Sequence, residues 1–212
     1  MTTTPRRALI VIDVQNEYVT GNLRIEYPPI DMSLPNIGHA MDVAHAAGVP
    51  VIVVQNRTAP TAALFAHGSD GWALHDVVAS RPRDHYVEKT LPSAFTETHL
   101  ETWLKSKSID TLTVVGYMTH NCDASTVFDA VHRGLTVEFL SDATGAVPYR
   151  NEAGYASAMD IHRVFSVVMH SRVAAVVTTQ MWAEAVRAGK VLARSNIHAS
   201  NQQALSQGIG AN

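Results

Sequence analysis

The feature that most constrains the fold is a series of short apolar runs separated by longer amphipathic stretches. The runs at 8–12 and 51–54 contain only apolar residues, mainly Val, Ile and Leu. A strand with one solvated face alternates between apolar and polar residues, whereas a strand covered on both faces is apolar throughout. The pattern therefore predicts a mainly parallel sheet with helices on both of its faces.

The same pattern can be followed along the whole chain. We predict six strands, at 8–12, 49–54, 85–88, 111–115, 135–140 and 173–177. Helices are predicted between or after them, at 34–47, 96–106, 122–132, 152–168 and 180–188. Gly48 and Gly134 close two of these helices, as glycine often does. Strand and helix alternation of this kind predicts a three-layer α/β fold around a six-stranded sheet.

The 212 residues suit one domain rather than two. We assign residues 1–190 to this domain and residues 191–212, rich in Ser, Asn, Gln and Gly, to an arm or loosely ordered tail. Residues 55–83 have weak periodicity and several Gly and Pro residues, and we interpret them as a long loop. Long loops in compact domains are often functional.

Composition excludes several classes of function. The formal net charge is −3 and the basic residues are scattered, so we expect no nucleic-acid partner. A single cysteine cannot form an internal disulfide or a zinc site built on thiolates. The start of the sequence does not resemble a signal peptide, and no apolar segment is long enough to span a bilayer. We therefore expect a cytoplasmic protein without a membrane partner.

Three chemically useful side chains follow predicted strands. Asp13 follows the first strand, Lys89 lies at the end of the third, and Cys122 comes soon after the fourth. Ligands of open parallel sheets bind beyond the carboxyl ends of the strands. The sequence therefore predicts that an acid, an ammonium group and a thiol meet at one edge of the sheet.

These three groups suit nucleophilic catalysis. A thiol attacks a carbonyl carbon as the thiolate, which the start of a helix and the Lys89 charge would both stabilise. Asp13 would accept the thiol proton and later donate it to the leaving amine. The backbone amides of Met118 and Cys122 would bind the oxyanion, and one such donor is typically worth about 3 kcal/mol.

Each residue also has an ordinary structural explanation. A single cysteine is often a small buried apolar residue, an Asp after a strand often caps a turn, and a lone Lys is usually solvated. The eleven histidines show no recognised metal-ligand spacing. The segment Gly68–Gly71 lacks the Lys and the preceding strand of a phosphate-binding loop. We therefore expect no metal and no cofactor.

Three segments resemble the isochorismatase-like cysteine hydrolase superfamily. They are ALIVIDVQNEY at 8–18, EKTLPSAF at 88–95 and VGYMTHNC at 115–122. The resemblance runs from Ala8 to about Trp182, and the segments occur in the family's order. The superfamily includes nicotinamidases, N-carbamoylsarcosine amidases, ureidoacrylate amidohydrolases and streptothricin hydrolases.

The resemblance implies an amidase-like hydrolase of small molecules that forms a thioester on Cys122. In it Asp13 is the general base and acid, Lys89 stabilises the thiolate, and the peptide bond between Tyr117 and Met118 is cis. The resemblance also implies a homo-oligomer, either a dimer or a tetramer. Two alternatives remain: a vinyl-ether hydrolase of the isochorismatase type, or a binding protein with a retired active site.

Two positions depart from the family pattern. Nicotinamidases carry an Asp-x-His metal motif where this chain has Gln55-Asn56-Arg57, which argues against a metal and against nicotinamide as substrate. Asp123 follows the nucleophile where Val is frequent, and it would favour the helix start but oppose thiolate formation. Aromatic and polar residues near these segments are candidates for the substrate pocket: Tyr18, Trp72, Phe95, Tyr117 and Asn121.

Overall fold

The computed structural model describes residues 4–206 and Gly208. Eight strands form in this part of the chain: β1 (Arg7–Ile12), β2 (Val51–Asn56), β3 (His85–Lys89), β4 (Thr111–Tyr117), β5 (Thr136–Gly145), β6 (Tyr149–Asn151), β7 (Gly154–Ala156) and β8 (Ala175–Val177). Six of them build one parallel sheet in the order β3-β2-β1-β4-β5-β8. β6 and β7 form a separate antiparallel hairpin.

Helices cover both faces of the sheet. They are α1 (Ile30–Ala46), α2 (Asp76–Ala79), α3 (Leu100–Ser106), α4 (Ala124–His132), α5 (Ala158–His170), α6 (Thr179–Arg187) and α7 (Ile197–Ser206). Buried side chains of α1 and α6 share one core cluster, and those of α3, α4 and α5 share another. The predicted three-layer α/β fold with six parallel strands is confirmed.

β1 lies between the two cores. Leu9 and Val11 belong to the cluster under α1 and α6, whereas Ala8, Ile10 and Ile12 belong to the opposite one. Side chains of a strand alternate between the faces of a sheet, so a strand buried on both faces needs an apolar residue at every position. This explains why the 8–12 run is apolar throughout.

The sheet changes its winding direction between β1 and β4. The chain passes from β1 to β2 and β3 on one side, then returns to β4 and continues to β5 and β8 on the other. Such a switch point leaves a crevice beyond the carboxyl ends of the two central strands. Asp13 follows β1 directly, and Cys122 follows β4 by five residues.

Gly116 allows β1 and β4 to approach closely. Its φ is +120°, and a Cβ at this position would lie 2.1 Å from the Ile12 carbonyl oxygen. Any other residue would clash with the β1 backbone and adopt a conformation that L side chains avoid. The glycine is therefore required at the switch point.

Several element boundaries differ from those predicted. α1 begins at Ile30, four residues before the predicted start, because Pro35 occupies the sixth helical position rather than the first turn. α5 begins at Ala158, and the preceding residues form the β6–β7 hairpin that the sequence pattern did not predict. Residues 197–206 of the predicted tail form α7 without a buried residue, and positions 207 and 209–212 lie outside the described residues.

Within the described residues, the helices are too short or too polar to cross a membrane.

Candidate active site

Asp13 occupies an unusual backbone conformation directly after β1. Its φ is +53°, in the left-handed region that non-glycine residues rarely adopt. The backbone is held there because the Asp13 amide donates a 3.0 Å hydrogen bond to the Val54 carbonyl of β2. Positive φ values of this kind persist only where the surrounding structure enforces them, and they cluster at functional sites.

Lys89 joins the acid to the thiol. Its Nζ lies 2.7 Å from Asp13 Oδ2 and 3.2 Å from Cys122 Sγ. The Asp13 and Lys89 side chains are completely buried, and Cys122 is 6% exposed. The structure therefore places together the three side chains that the sequence singled out at separate strand ends.

Cys122 lies in a wide helical turn, Thr119–Asp123, that leads into α4. The predicted helix start at Cys122 was two residues early, because α4 begins at Ala124. Met118 is extended, and its carbonyl accepts hydrogen bonds from the Asn121 and Asp123 amides at 3.0 and 3.2 Å. The peptide bond before Met118 is cis, as the resemblance implies.

Thr126 connects the turn that carries Cys122 to the segment that follows Lys89. Its hydroxyl donates a 2.7 Å hydrogen bond to the Cys122 carbonyl and accepts one of 3.1 Å from the Ala94 amide. Nearby, the Ser93 hydroxyl donates to Asp129 of α4 at 2.7 Å. α4 and the segment after β3 are thus fixed to each other, and with them Cys122 and Lys89.

Thr119, at the start of the same turn, is held by a buried histidine. The Thr119 hydroxyl lies 2.8 Å from His162 Nδ1, and the His162 ring also bonds the Ser141 backbone. Burial lowers the pKa of His162 to about 4, so the ring is neutral at physiological pH. A neutral ring that donates to a carbonyl has its other nitrogen free to accept the Thr119 proton.

The environment of Cys122 favours the thiol over the thiolate. Burial and the negative charge of Asp13 raise its pKa, and Lys89 opposes that rise only in part. Lys89 does lower the thiol pKa, as the sequence suggests, but burial and Asp13 outweigh its effect. Sγ is removed from solvent and lies within range of a carboxylate, and both factors penalise a second negative charge.

The pKa values of Asp13 and Lys89 both lie above their usual ranges. Burial raises the pKa of Asp13, although Lys89 lowers it in part. Burial alone would lower the pKa of Lys89, but the charges of Asp13 and Cys122 raise it overall. Asp13 is consequently a stronger base than an exposed carboxylate, and Lys89 keeps its positive charge.

Asp123 is a second buried carboxyl beside the nucleophile. Asp123 is completely buried, and neither of its carboxylate oxygens has a hydrogen-bond partner. Burial, followed by repulsion from Asp13, raises its pKa well above the usual range. Burial therefore disfavours the negative charge on which both effects expected from the sequence depend.

Most of the segment predicted as a loop between residues 55 and 83 is irregular, apart from the end of β2 and the short α2, and it packs against the residues that follow β1. Gln15, after β1, donates to the Trp72 carbonyl at 2.7 Å, and Gln55 donates to the same oxygen at 2.7 Å. The Tyr86 hydroxyl donates a 2.8 Å hydrogen bond to the side chain of Gln55, which occupies the position of the nicotinamidase metal motif. Across residues 4–206 and Gly208, no group of three or more His, Cys, Asp or Glu is placed to hold a metal ion.

The predicted pocket residues do not form one wall. Tyr117 is completely buried, with its hydroxyl 2.8 Å from Ser33, and Tyr18 packs against it in the core. Phe95 lies beneath Arg133 and lines a separate cavity of about 180 Å³. Asn121 is partly exposed in the turn that carries Cys122, and Trp72 packs against His67 with the two rings tilted by 54°.

A cavity of about 300 Å³ is lined instead by residues that sequence reasoning missed. His120, two positions before Cys122, forms part of its wall together with Tyr149 and Tyr155 of the hairpin. Ile161 and Phe165 of α5 complete the other side. The only sequence signal was the adjacency of His120 to the nucleophile, because the hairpin has no apolar periodicity.

Comparison with known proteins identifies the fold and the family. A protein of Burkholderia xenovorans LB400, described as a candidate isochorismatase from its crystal structure, superposes with a TM-score of 0.97. It is 66% identical, and the match covers 98% of this chain and 100% of that one.

Two sequence relatives are more distant. The secreted isochorismatase effector Isc1 of Verticillium dahliae is 32% identical over 65% of this chain and 71% of its own. The ureidoacrylate amidohydrolase RutB of Agrobacterium fabrum is 29% identical over 65% of this chain and 75% of its own. Residues 7–181 match the isochorismatase domain family. The chain therefore belongs to the isochorismatase family of hydrolases.

Proposed function

We propose that the protein hydrolyses a carbon–nitrogen bond of a small amide through a thioester on Cys122. The observation that carries the proposal is the position of Lys89 Nζ, 2.7 Å from Asp13 and 3.2 Å from the Cys122 sulfur. An acid, a fixed cation and a thiol in one buried cluster provide a proton acceptor, a charge stabiliser and a nucleophile. The amidohydrolase named among the relatives supports the same class of reaction.

The proposed reaction has two halves. Asp13 accepts the Cys122 proton as the sulfur attacks the amide carbon, and the tetrahedral oxyanion is bound by the Met118 and Cys122 amides. The C–N bond then breaks, and Asp13 donates its proton to the leaving nitrogen, which leaves a thioester. Water next attacks the thioester carbon while Asp13 accepts a water proton. The acid departs, and that proton returns to the sulfur.

The raised pKa values suit this sequence. A resting thiol is protected from oxidation, and it ionises only when the substrate carbon is present to accept its electron pair. A carboxylate of raised pKa is better matched to proton exchange near neutral pH than an exposed one. Lys89 keeps its charge throughout and stabilises sulfur as negative charge develops on it.

Vinyl-ether hydrolysis is a second candidate, because one relative is named an isochorismatase effector. That reaction releases pyruvate from isochorismate, and members of that branch act without a cysteine nucleophile. Substitution of Cys122 should therefore leave it largely intact. Pyruvate release by both the wild type and Cys122→Ala would favour this candidate over the amidase.

The amidase proposal is tested with a panel of nicotinamide, carbamoyl, ureido and lactam compounds, with ammonia or amine release as the assay. We expect wild-type activity on at least one class and a loss of at least about 10³-fold in Cys122→Ala, since the covalent route is removed. Circular dichroism serves as the folding control. Full turnover by Cys122→Ala on a compound that the wild type hydrolyses would refute the thioester.

A further inference from the structure

The cavity beside the nucleophile turn is built from three elements. His120 comes from the turn itself, Tyr149 and Tyr155 come from the β6–β7 hairpin, and Phe165 comes from α5. The hairpin strands pair only with each other and are not part of the main sheet. The hairpin and α5 therefore border an open cavity of about 300 Å³ next to the turn that carries Cys122.

The cavity and the nucleophile are within electrostatic range of each other. Burial and then the charge of Cys122 raise the pKa of the Tyr149 hydroxyl. The Tyr149 ring meets the His120 ring edge-on, with centroids 5.0 Å apart, and His120 precedes Cys122 by two residues. The cavity therefore lies beside the turn that carries Cys122.

The wall of the cavity is mainly apolar and contains no charged residue. Its lining includes three aromatic side chains and Ile161, and none of its members is Asp, Glu, Lys or Arg. Both His120 ring nitrogens are buried without a hydrogen-bond partner, and burial lowers the pKa of this ring to about 4. His120 thus presents a neutral ring edge to the space rather than a charge.

Two of the aromatic rings are left partly uncovered. Tyr149 is 43% exposed and Tyr155 is 61% exposed, which is high for large aromatic side chains. When an apolar ligand group covers aromatic walls that are open to water, the burial of apolar surface favours binding. The lining offers a ureido or carbamoyl group no charged partner, and its polar side-chain groups are confined to His120, Asn151 and the two Tyr hydroxyls.

We propose that this cavity binds an aromatic or branched apolar group of the substrate, so that the protein acts on apolar carboxamides rather than on ureido compounds. This inference rests on the proposed amidase function. In it the scissile carbonyl lies at Cys122, and the apolar group lies among His120, Tyr149, Tyr155 and Phe165.

The test compares benzamide, propanamide and ureidoacetate as substrates of the wild type and two variants. We expect the wild-type kcat/KM for benzamide to exceed those of the other two by at least tenfold. Ala156→Phe fills the cavity from β7 and should reduce the benzamide-to-propanamide ratio at least fivefold. Val167→Ala, on the exposed side of α5, is the matched control and should leave the ratio unchanged.

Binding measurements separate this inference from the proposed function. Ligand-observed NMR with Cys122→Ala should show benzamide binding at least tenfold more tightly than propanamide, with the difference removed by Ala156→Phe. If no amide is hydrolysed but this binding pattern holds, the amidase proposal fails and the subsite stands.

Three results would overturn the subsite. Equal binding of the two amides would do so, as would hydrolysis of propanamide as efficient as that of benzamide. The third is a change of sedimentation in Ala156→Phe without a change in selectivity, because the cavity would then be a contact between copies of the chain.

Discussion

At the residue scale, Asp123 follows the nucleophile directly and keeps both carboxylate oxygens out of water without a hydrogen-bond partner. Its sequence position suggested two opposing effects, stabilisation of the helix start and repulsion of the thiolate. Both require a negative charge, and burial disfavours that charge by raising the pKa. The charge state of the residue thus depends on a burial that the sequence does not reveal.

We predict that Asp123→Asn is more stable than the wild type at neutral pH. Below the unfolded-state pKa, near 3.8, the carboxyl is protonated in both states. Above it, the unfolded chain releases a proton that the folded chain retains, so wild-type stability falls as pH rises towards the folded pKa. Each pKa unit of elevation costs about 1.4 kcal/mol. The Tm difference between variant and wild type should grow between pH 4 and pH 8.

Asp160 provides a control in which stability changes with pH in the opposite direction. A hydrogen bond from Ser157 lowers the pKa of this exposed carboxyl. Its stabilising effect is therefore present above the unfolded-state pKa and disappears as pH falls through the folded value. Asp160→Asn should lower the Tm at pH 7 and match the wild type at low pH. A Tm difference for Asp123→Asn that is constant with pH would show that this carboxyl is ionised.

At the scale of elements, Thr126 of α4 ties the nucleophile turn to the segment after β3 through two hydrogen bonds. Thr126→Val keeps the shape of the side chain but leaves the Cys122 carbonyl and the Ala94 amide without their partner. An unsatisfied buried group typically costs about 1–3 kcal/mol. We expect kcat to fall about tenfold with a small change in KM, because the sulfur and Lys89 Nζ lose their fixed separation.

The rescue variant is Thr126→Ser, which keeps the hydroxyl and removes one methyl group. It should recover most of kcat while remaining slightly less stable than the wild type. Kinetics and thermal melting of the two variants together make the comparison. If Thr126→Val and Thr126→Ser lose kcat equally, the hydroxyl does not position the nucleophile.

The elements that the sequence predicted well are those with a buried face. The runs 8–12 of β1 and 51–54 of β2 are apolar because both faces of these strands are covered, and this pattern can be read from the sequence alone. The β6–β7 hairpin leaves five of its six strand residues exposed, so it has no alternating pattern to detect. The start of α1 was misplaced because Pro35 is tolerated inside the helix, against its usual preference.

The site was predictable to the same extent. Asp13, Lys89 and Cys122 follow strands, and the strand order alone brings them together. The wall of the cavity beside the Cys122 turn was not predictable, because it comes from an exposed hairpin and one side of α5 whose arrangement depends on tertiary packing. The direction of the Cys122 pKa shift could not be predicted from the sequence either, because burial rather than neighbouring residues in sequence is its largest cause.

At the scale of the whole molecule, a buried ion pair joins the sheet to α6 away from the site. Arg7 of β1 and Glu138 of β5 meet at 2.8 Å with both side chains at most 3% exposed. Trp182 of α6 and Thr113 of β4 each donate to Glu138 Oε2, at 3.0 and 2.8 Å. Asp13 lies six residues beyond Arg7, which is about 20 Å along an extended strand.

We predict that Glu138→Gln lowers stability while sparing catalysis. The substitution leaves the Arg7 charge buried without its counter-ion, which typically costs about 3–5 kcal/mol. This corresponds to a fall in Tm of roughly 10 °C for a chain of this size. The kcat measured well below the melting temperature should stay within about twofold of the wild type, given the separation from the site.

The exposed pair of Arg163 and Asp160 gives the comparison. Its side chains are 65% and 49% exposed, and exposed pairs contribute roughly 0–1 kcal/mol. Arg163→Gln should therefore change the Tm by only a few degrees. Equal effects of Glu138→Gln and Arg163→Gln would mean that the buried network does not hold the sheet to α6.

Covalent acylation of Cys122, with Asp13 and Lys89 beside it, can be observed by intact-mass spectrometry of the protein quenched in acid during turnover of an amide substrate. We predict a population heavier by the mass of the acyl group, located at Cys122 by peptide mapping and missing from Cys122→Ala. Continued turnover with Cys122 unmodified at every time point, and equal turnover by Cys122→Ala, would contradict the account.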